Sequence, residues 1–305
     1  DLWRYDPITN MWTWMSGSSA GAPGGVYGTK GVPAAANVPG SRWCYSTWVD
    51  KKTNTLWLFG GKGSSGDLND LWKYDPNPTS PTFNRWTWMS GSNVPNQMGK
   101  YGAACVESPS NVPGARYESR TRWTDDCGNF WMFGGGEQIT NPFAYYYNDL
   151  WRYNISTNMW AWISGDTVST PSGVGVYGTQ GVPASTNKPP GRSGASGWRN
   201  KDGLWLYGGT IATGILQPDD LWKYISEQPT AAFTQDTTNG CNPLTVNFTD
   251  NSTGPPTSWA WTFAGGTPGT SNAQNPTNIC YNTAGTYTAT FTAANGCDSV
   301  VTLTL

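Results

Sequence analysis

The hexapeptide Trp12-Thr13-Trp14-Met15-Ser16-Gly17 returns 74 residues later as Trp86-Thr87-Trp88-Met89-Ser90-Gly91, and after another 74 as Trp160-Ala161-Trp162-Ile163-Ser164-Gly165. The pairs Gly60-Gly61, Gly134-Gly135 and Gly208-Gly209 keep the same step. Asp-Leu-Trp recurs around Leu2, Leu71, Leu150 and Leu221, and Tyr-Gly at Tyr27, Tyr101 and Tyr177. Such a chain is an array of one structural unit, in which a unit covers its apolar surface by stacking on the next.

Each unit reads as four strands. The first starts at Arg42, Arg116 or Arg192. The second, as in Leu56-Trp57-Leu58-Phe59-Gly60-Gly61, is apolar on both faces and belongs in a sheet covered on both sides. The Asp-Leu-Trp segment and the Trp-x-Trp segment supply the third and fourth. Four antiparallel strands with neighbours on both faces describe a propeller blade. Residues 1–17 hold strands three and four of one blade, 40–91 and 114–165 two whole blades, and 191–224 strands one to three of another. This falls short of the roughly sixteen strands of a four-bladed propeller. An incomplete or open array is expected, with further units upstream of Asp1.

These residues resemble the kelch repeat: an Arg-led strand, an apolar strand ending in Gly-Gly, then spaced Tyr and Trp. The resemblance spans residues 1–226. The unit exceeds the usual kelch period of about 50 by a loop of 24 residues between Gly17 and Arg42, with counterparts at 92–115 and 166–191. That version is similar to bacterial secreted kelch-repeat proteins. Galactose-oxidase-type copper enzymes share the kelch propeller, and the resemblance implies Tyr and His ligands for their site. The sequence contains no histidine, the commonest general base and metal ligand. The chain is therefore expected not to be an enzyme and to hold neither metal nor cofactor; a carboxylate-based, His-free glycan-cleaving enzyme is the catalytic alternative.

Composition shifts at Glu227-Gln228-Pro229, after which Thr is abundant and Lys and Arg disappear. Alternating runs such as Thr245-Val246-Asn247-Phe248-Thr249 and Thr286-Tyr287-Thr288-Ala289-Thr290-Phe291 read as a small β-sandwich. Trp259-x-Trp261-x-Phe263-x-Gly265-Gly266, Asn275-Pro276-Thr277 and Ala284-Gly285-Thr286-Tyr287 resemble a PKD domain, an immunoglobulin-like fold, over 229–305. The acidic turn usual in that family is Ala264-Gly265-Gly266-Thr267 here. The whole chain is thus expected to be all-β, and the PKD resemblance implies a surface spacer.

The net charge of −2 with no basic patch argues against nucleic acid. The longest apolar runs are far below the roughly 20 residues of a membrane helix. Asp166-Thr167-Val168, Asp236-Thr237-Thr238 and Asp298-Ser299-Val300 resemble an O-glycosylation motif of Bacteroidota, which implies secretion to the outside or surface of a bacterium. Candidate binding residues are Phe143, Tyr145, Tyr146 and Tyr147, an aromatic run without counterpart in the other units and read as a loop. Arg42, Arg116 and Arg192 either line a ligand pocket or bond backbone carbonyls. Thr124-Asp125-Asp126-Cys127-Gly128-Asn129-Phe130-Trp131 resembles the Asp box of sialidases, but a β-turn with Asp and Gly at their favoured positions explains it fully. The six cysteines suggest an oxidising compartment. The expected pairings are Cys105–Cys127 and Cys241–Cys280, which leave Cys44 and Cys297 over, with Cys241–Cys297 the rival to the second pairing. The leading function is a non-catalytic adhesive or structural component of a surface assembly, binding proteins, surface glycans or its own copies. A carbohydrate-binding module of a larger secreted enzyme is the alternative.

Overall fold

The 74-residue step in the sequence is a step from one antiparallel sheet to the next. A computed structural model describes residues 1–21, 23–138, 145–169, 175–201, 203–211, 217–225, 232–237, 239, 243–252, 259–283, 285–293 and 298–304. Among these there is no helix. The chain divides into two compact units, Asp1–Tyr224 and Ile225–Leu305.

In the first unit, β1 (Leu2–Asp6) and β2 (Met11–Ser16) form a half-blade. Blade 1 comprises β3 (Arg42–Trp43), β4 (Ser46–Asp50), β5 (Thr55–Gly63), β6 (Gly66–Asp75) and β7 (Arg85–Ser90). Here β3 and β4 both pair with β5, followed by β6 and β7. Blade 2 comprises β8 (Glu107–Ser108), β9 (Arg122–Thr124), β10 (Phe130–Glu137), β11 (Tyr145–Asn154) and β12 (Met159–Ser164), in the order β9-β10-β11-β12-β8. Blade 3 holds β13 (Ser196–Asn200), β14 (Gly203–Tyr207) and β15 (Leu221–Tyr224). The first strands of successive blades converge, β4 on β9 and β9 on β13.

Blades pack face to face through aromatics that the repeat supplies. Trp151, Tyr153 and Trp160 of blade 2 bury against Trp57, Phe59 and Leu71 of blade 1. Leu204, Leu206, Trp222 and Tyr224 of blade 3 cover Trp131, Phe133 and Leu150 of blade 2. The Gly-Gly pairs serve the same joint. Gly60 and Gly61 have φ of 63° and 98°, and Gly134 and Gly135 64° and 111°, conformations glycine adopts without strain. The turn they make shifts the strand register and frees an N–H: Gly61 donates to Arg116 O at 2.9 Å and Gly135 to Arg192 O at 2.8 Å.

The long inter-blade loops are held to the outer strands. Gly31 N donates to Trp88 O at 2.8 Å and Cys105 N to Trp162 O at 2.7 Å. The side-chain amides of Asn37 and Asn111 donate to Trp86 O and Trp160 O, and β8 in the second loop pairs with β12. The loops before blades 1 and 2 thus satisfy the outer edges of those blades, which would otherwise invite strand addition.

The second unit contains β16 (Phe233–Gln235), β17 (Leu244–Val246), β18 (Phe248–Asp250), β19 (Trp259–Phe263), β20 (Thr270–Ser271), β21 (Ile279–Tyr281), β22 (Thr286–Ala293) and β23 (Asp298–Thr304). Strand β16 pairs with β18, β17 with β21, and the remaining sheet runs β20-β19-β22-β23. Phe233, Val246, Phe248, Trp261, Phe263, Ile279 and Tyr281 form the core. The inward side chains of β19 alternate with exposed ones, as its sequence demands.

Candidate functional site

Three polar clusters repeat with the blades. Arg42 pairs with Asp70, Arg116 with Asp149 and Arg192 with Asp220, each through two bonds of 2.5 to 2.8 Å. In every case Nε donates to the carbonyl two residues earlier, and Nη1 also reaches the carbonyl of Gly60, Gly134 or Gly208. The same Asp accepts from a tyrosine of the long loop, Tyr27, Tyr101 or Tyr177. It also accepts from the indole of Trp72, Trp151 or Trp222 at 2.7 Å. The Arg116 guanidinium lies 3.9 Å over the Tyr147 ring. Burial works against the charge on Arg116, but Asp149 outweighs it and holds the guanidinium more firmly protonated than usual. These arginines have their donors committed within the fold.

The tyrosine run occupies a different place from the exposed loop expected. Tyr145, Tyr146 and Tyr147 open β11, paired with Glu137, Gly136 and Gly135 of β10. Tyr146 is 5% exposed and Tyr147 2%, so neither presents a face to a partner. The hairpin extends two residues beyond the Gly-Gly turn and draws the aromatics into the joint above Arg116. Phe143 lies outside the described residues. The Asp-box segment is a turn whose carboxylate is consumed locally: Asp125 accepts from Asn129 N at 2.8 Å and from the Trp131 indole at 2.8 Å.

What breaks the symmetry lies where blades 1 and 2 converge. Arg42 and Trp48 are six positions apart, Arg192 and Trp198 also six, but Arg116 and Trp123 seven. Ser46 Oγ donates to Ser119 O, and the matching Thr121 Oγ1 donates to Ala195 O at 2.8 Å. The extra residue is therefore Arg120. It lines an open groove of about 410 Å³ with Trp43, Cys44, Tyr45, Thr47 and Arg122. Trp43 and Tyr45 expose large apolar surfaces, and the Trp43 ring lies 6.1 Å from that of Tyr117. A second cleft, of about 480 Å³, lies among turn residues Lys51–Asn54 and Pro76–Pro78 and offers no aromatic surface.

The groove carries uncompensated positive charge. Asp70 neutralises Arg42, and Glu118 pairs with Arg120 at 2.7 Å. Arg122 donates to Arg120 O at 3.2 Å and, among the described residues, has no carboxylate within ion-pair distance. Burial and then the Arg120 charge lower its proton affinity, the state an incoming anion would relieve. Two residues after the leading arginine, the backbone is left-handed in all three blades: Gly194 at φ 64°, but Cys44 at 55° and Glu118 at 53°. Non-glycine residues there cost roughly 1–2 kcal/mol. Both side chains join one cluster, in which the Cys44 thiol meets Glu118 and Arg120 Nη2 donates to Cys44 Sγ at 3.3 Å. The changed Arg-to-Trp spacing was the available sequence signal for this groove.

The expected disulfides are not formed. Cys105 is an exposed free thiol and Cys280 a half-buried one. Cys127 is disulfide-bonded, and Cys105 is not its partner. Left-handed Cys105 (φ 64°) is held by its loop against β12, its Sγ 3.7 Å from Ile163 O, rather than turned toward the hairpin of Cys127. Cys241 lies outside the described residues. No group of three or more His, Cys, Asp or Glu that could hold a metal ion occurs among the described residues.

Solved structures similar to this chain include the following two. One is a fungal alcohol oxidase of the AA5 family in complex with copper, at 12% identity and a TM-score of 0.38, covering 99% of this chain and 69% of the other. The second is YjhT, at 14% identity and a TM-score of 0.36, covering 89% and 84%. They correct one expectation: since an alcohol oxidase stands among similar structures, the exclusion of enzymatic activity drawn from the missing histidines is withdrawn. At these scores the likeness carries no argument for any particular activity of this chain. PKD domains typically occur in extracellular proteins, and residues 226–304 match the family model described as PKD domain.

Proposed function

We propose that the chain is an adhesion or assembly component of a bacterial surface or extracellular structure, and that the groove between blades 1 and 2 binds an anionic glycan. The observation that carries this reading is Arg120. It is inserted in one blade only, beside exposed Trp43 and Tyr45 and unneutralised Arg122. Aromatic faces stack on sugar rings, and a guanidinium holds a carboxylate or sulfate in a two-pronged bond. The PKD match supports a place outside the cell and the role of spacer. The same aromatic surface supports a second reading, a carbohydrate-binding module of a larger secreted enzyme.

The test is a binding panel of matched neutral, uronic and sulfated polysaccharides against the full chain. Binding confined to the acidic members, weakened by Arg122→Ala and by salt, is the expected result. Equal binding of neutral members, or no effect of Arg122→Ala, would contradict the assignment.

A further inference from the structure

Three charged side chains set blade 2 apart at the groove, and they do not act alike. Counted back from Trp123, Arg122 stands where the neighbouring blades have Thr47 and Gly197. Counted forward from Arg116, Glu118 stands where they have Cys44 and Gly194. Arg120 is the inserted residue between them.

Glu118 is a fixed counter-ion for Arg120. Its N–H donates to Cys44 O and its carbonyl accepts from Gly194 N, both at 2.9 Å, so its backbone is tied to the blades on either side. Its carboxylate meets the Arg120 guanidinium at two points, Nε at 2.7 Å and Nη2 at 3.1 Å. Such a pair occupies the same fork that would hold a carboxylate or sulfate of a ligand. The Cys44 thiol and then Glu118 keep Arg120 more firmly protonated than usual. What Arg120 offers the groove is its carbonyl, which accepts from Arg122 Nη1 at 3.2 Å and orients that guanidinium. Asp70 matches Arg42. Among the described residues, the three arginine charges at the groove less the two carboxylates that pair with them leave one positive charge, on Arg122.

We propose that the groove is built for a glycan with isolated anionic groups: Arg122 holds one carboxylate or sulfate ester at a time, and Glu118 withholds Arg120 from the ligand, so that denser sulfation brings no added affinity. The inference rests on the glycan-binding reading and narrows its ligand class. A second anionic group beside the first would face the Glu118 carboxylate instead of a free guanidinium, and like charges brought together oppose binding.

The experiment compares the affinity of the full chain for unsulfated chondroitin oligosaccharides, with a carboxylate on every second sugar, and for the same backbone bearing added sulfate esters. The variants are Glu118→Gln and Arg122→Ala, with folding checked by circular dichroism. The wild type binds the two ligands within about twofold of each other, and Glu118→Gln, which frees Arg120, raises the preference for the sulfated one by about threefold or more, the scale of one exposed ion pair. Arg122→Ala weakens binding of both. The wild-type comparison stands without any variant. A wild type that prefers the sulfated ligand by more than about threefold overturns the proposal and leaves the glycan-binding reading in place, as does a folded Glu118→Gln with unchanged preference. Binding of neither ligand by the wild type, or undiminished binding by Arg122→Ala, overturns the groove reading and the proposal with it.

Discussion

Arg116 and Asp149 meet through two parallel bonds of 2.6 and 2.8 Å with both side chains wholly buried. Tyr101 and Trp151 bond the same carboxylate, so one pair ties the long loop, the segment leading into the first strand and the third strand of blade 2 together. A buried pair of this kind adds little over an apolar substitute, but losing one member strands a charge. Asp149→Ala is expected to cost about 3–5 kcal/mol in urea unfolding. Asp220→Ala should cost less, since the Asp220 side chain retains 14% exposure.

The Gly-Gly turns make a graded prediction. A Cβ on Gly134 would lie 2.5 Å from Arg192 O and 3.0 Å from Tyr147 O, whereas on Gly208 it would come no closer than 3.5 Å to Pro218 O. Both residues have φ of 64° and share the left-handed strain. Gly134→Ala should therefore be the more destabilising by about 1–3 kcal/mol, read as the difference between the two melting curves. Equal losses would contradict backbone approach as the reason for glycine.

Acid should loosen the third blade in a defined window. Burial raises the Asp220 pKa, but bonds from Arg192 and Trp222 prevail and hold it below the ordinary carboxylate value. A carboxylate depressed in the folded state stabilises the protein above its unfolded pKa of about 3.9 and loses that contribution as pH falls through the folded value. Melting temperature should be insensitive to this group above pH ~5 and drop below pH ~4. Asp220→Asn should show a smaller acid drop, and an unchanged drop would contradict the assignment.

The repeat made the blades legible, because Gly-Gly, Asp-Leu-Trp and Trp-x-Trp each demand one place in a blade. The loop tyrosines were misread for lack of one fact: β10 and β11 continue past the Gly-Gly turn, so Tyr146 and Tyr147 are strand residues. The Asp of Asp-Leu-Trp was visible as a repeat, but its partnership with Arg42, Arg116 and Arg192 depends on a fold-back of about 30 residues that spacing does not reveal. Arg120 was missed: the seven-residue step from Arg116 to Trp123 carries its signal, and only the convergence of the first strands gives that excess a location.

Thiol chemistry separates the cysteines. Cys105 is exposed, while burial and then Glu118 push the Cys44 thiol up from its ordinary pKa. The thiolate is the reactive form. Timed alkylation followed by mass spectrometry should label Cys105 first and Cys44 later, with Cys127 protected until reduction. Glu118→Gln should speed labelling of Cys44; a slower rate would contradict the contact.

Deleting Arg120 restores the six-residue spacing of the other two blades and removes the one feature that singles out the groove. The decisive measurement is the affinity of this deletion variant for an acidic polysaccharide, beside its melting temperature. A folded variant with at least about tenfold weaker binding, equivalent to about 1.4 kcal/mol, is the predicted result. A folded variant that binds as tightly as the native chain would contradict the groove as the binding site.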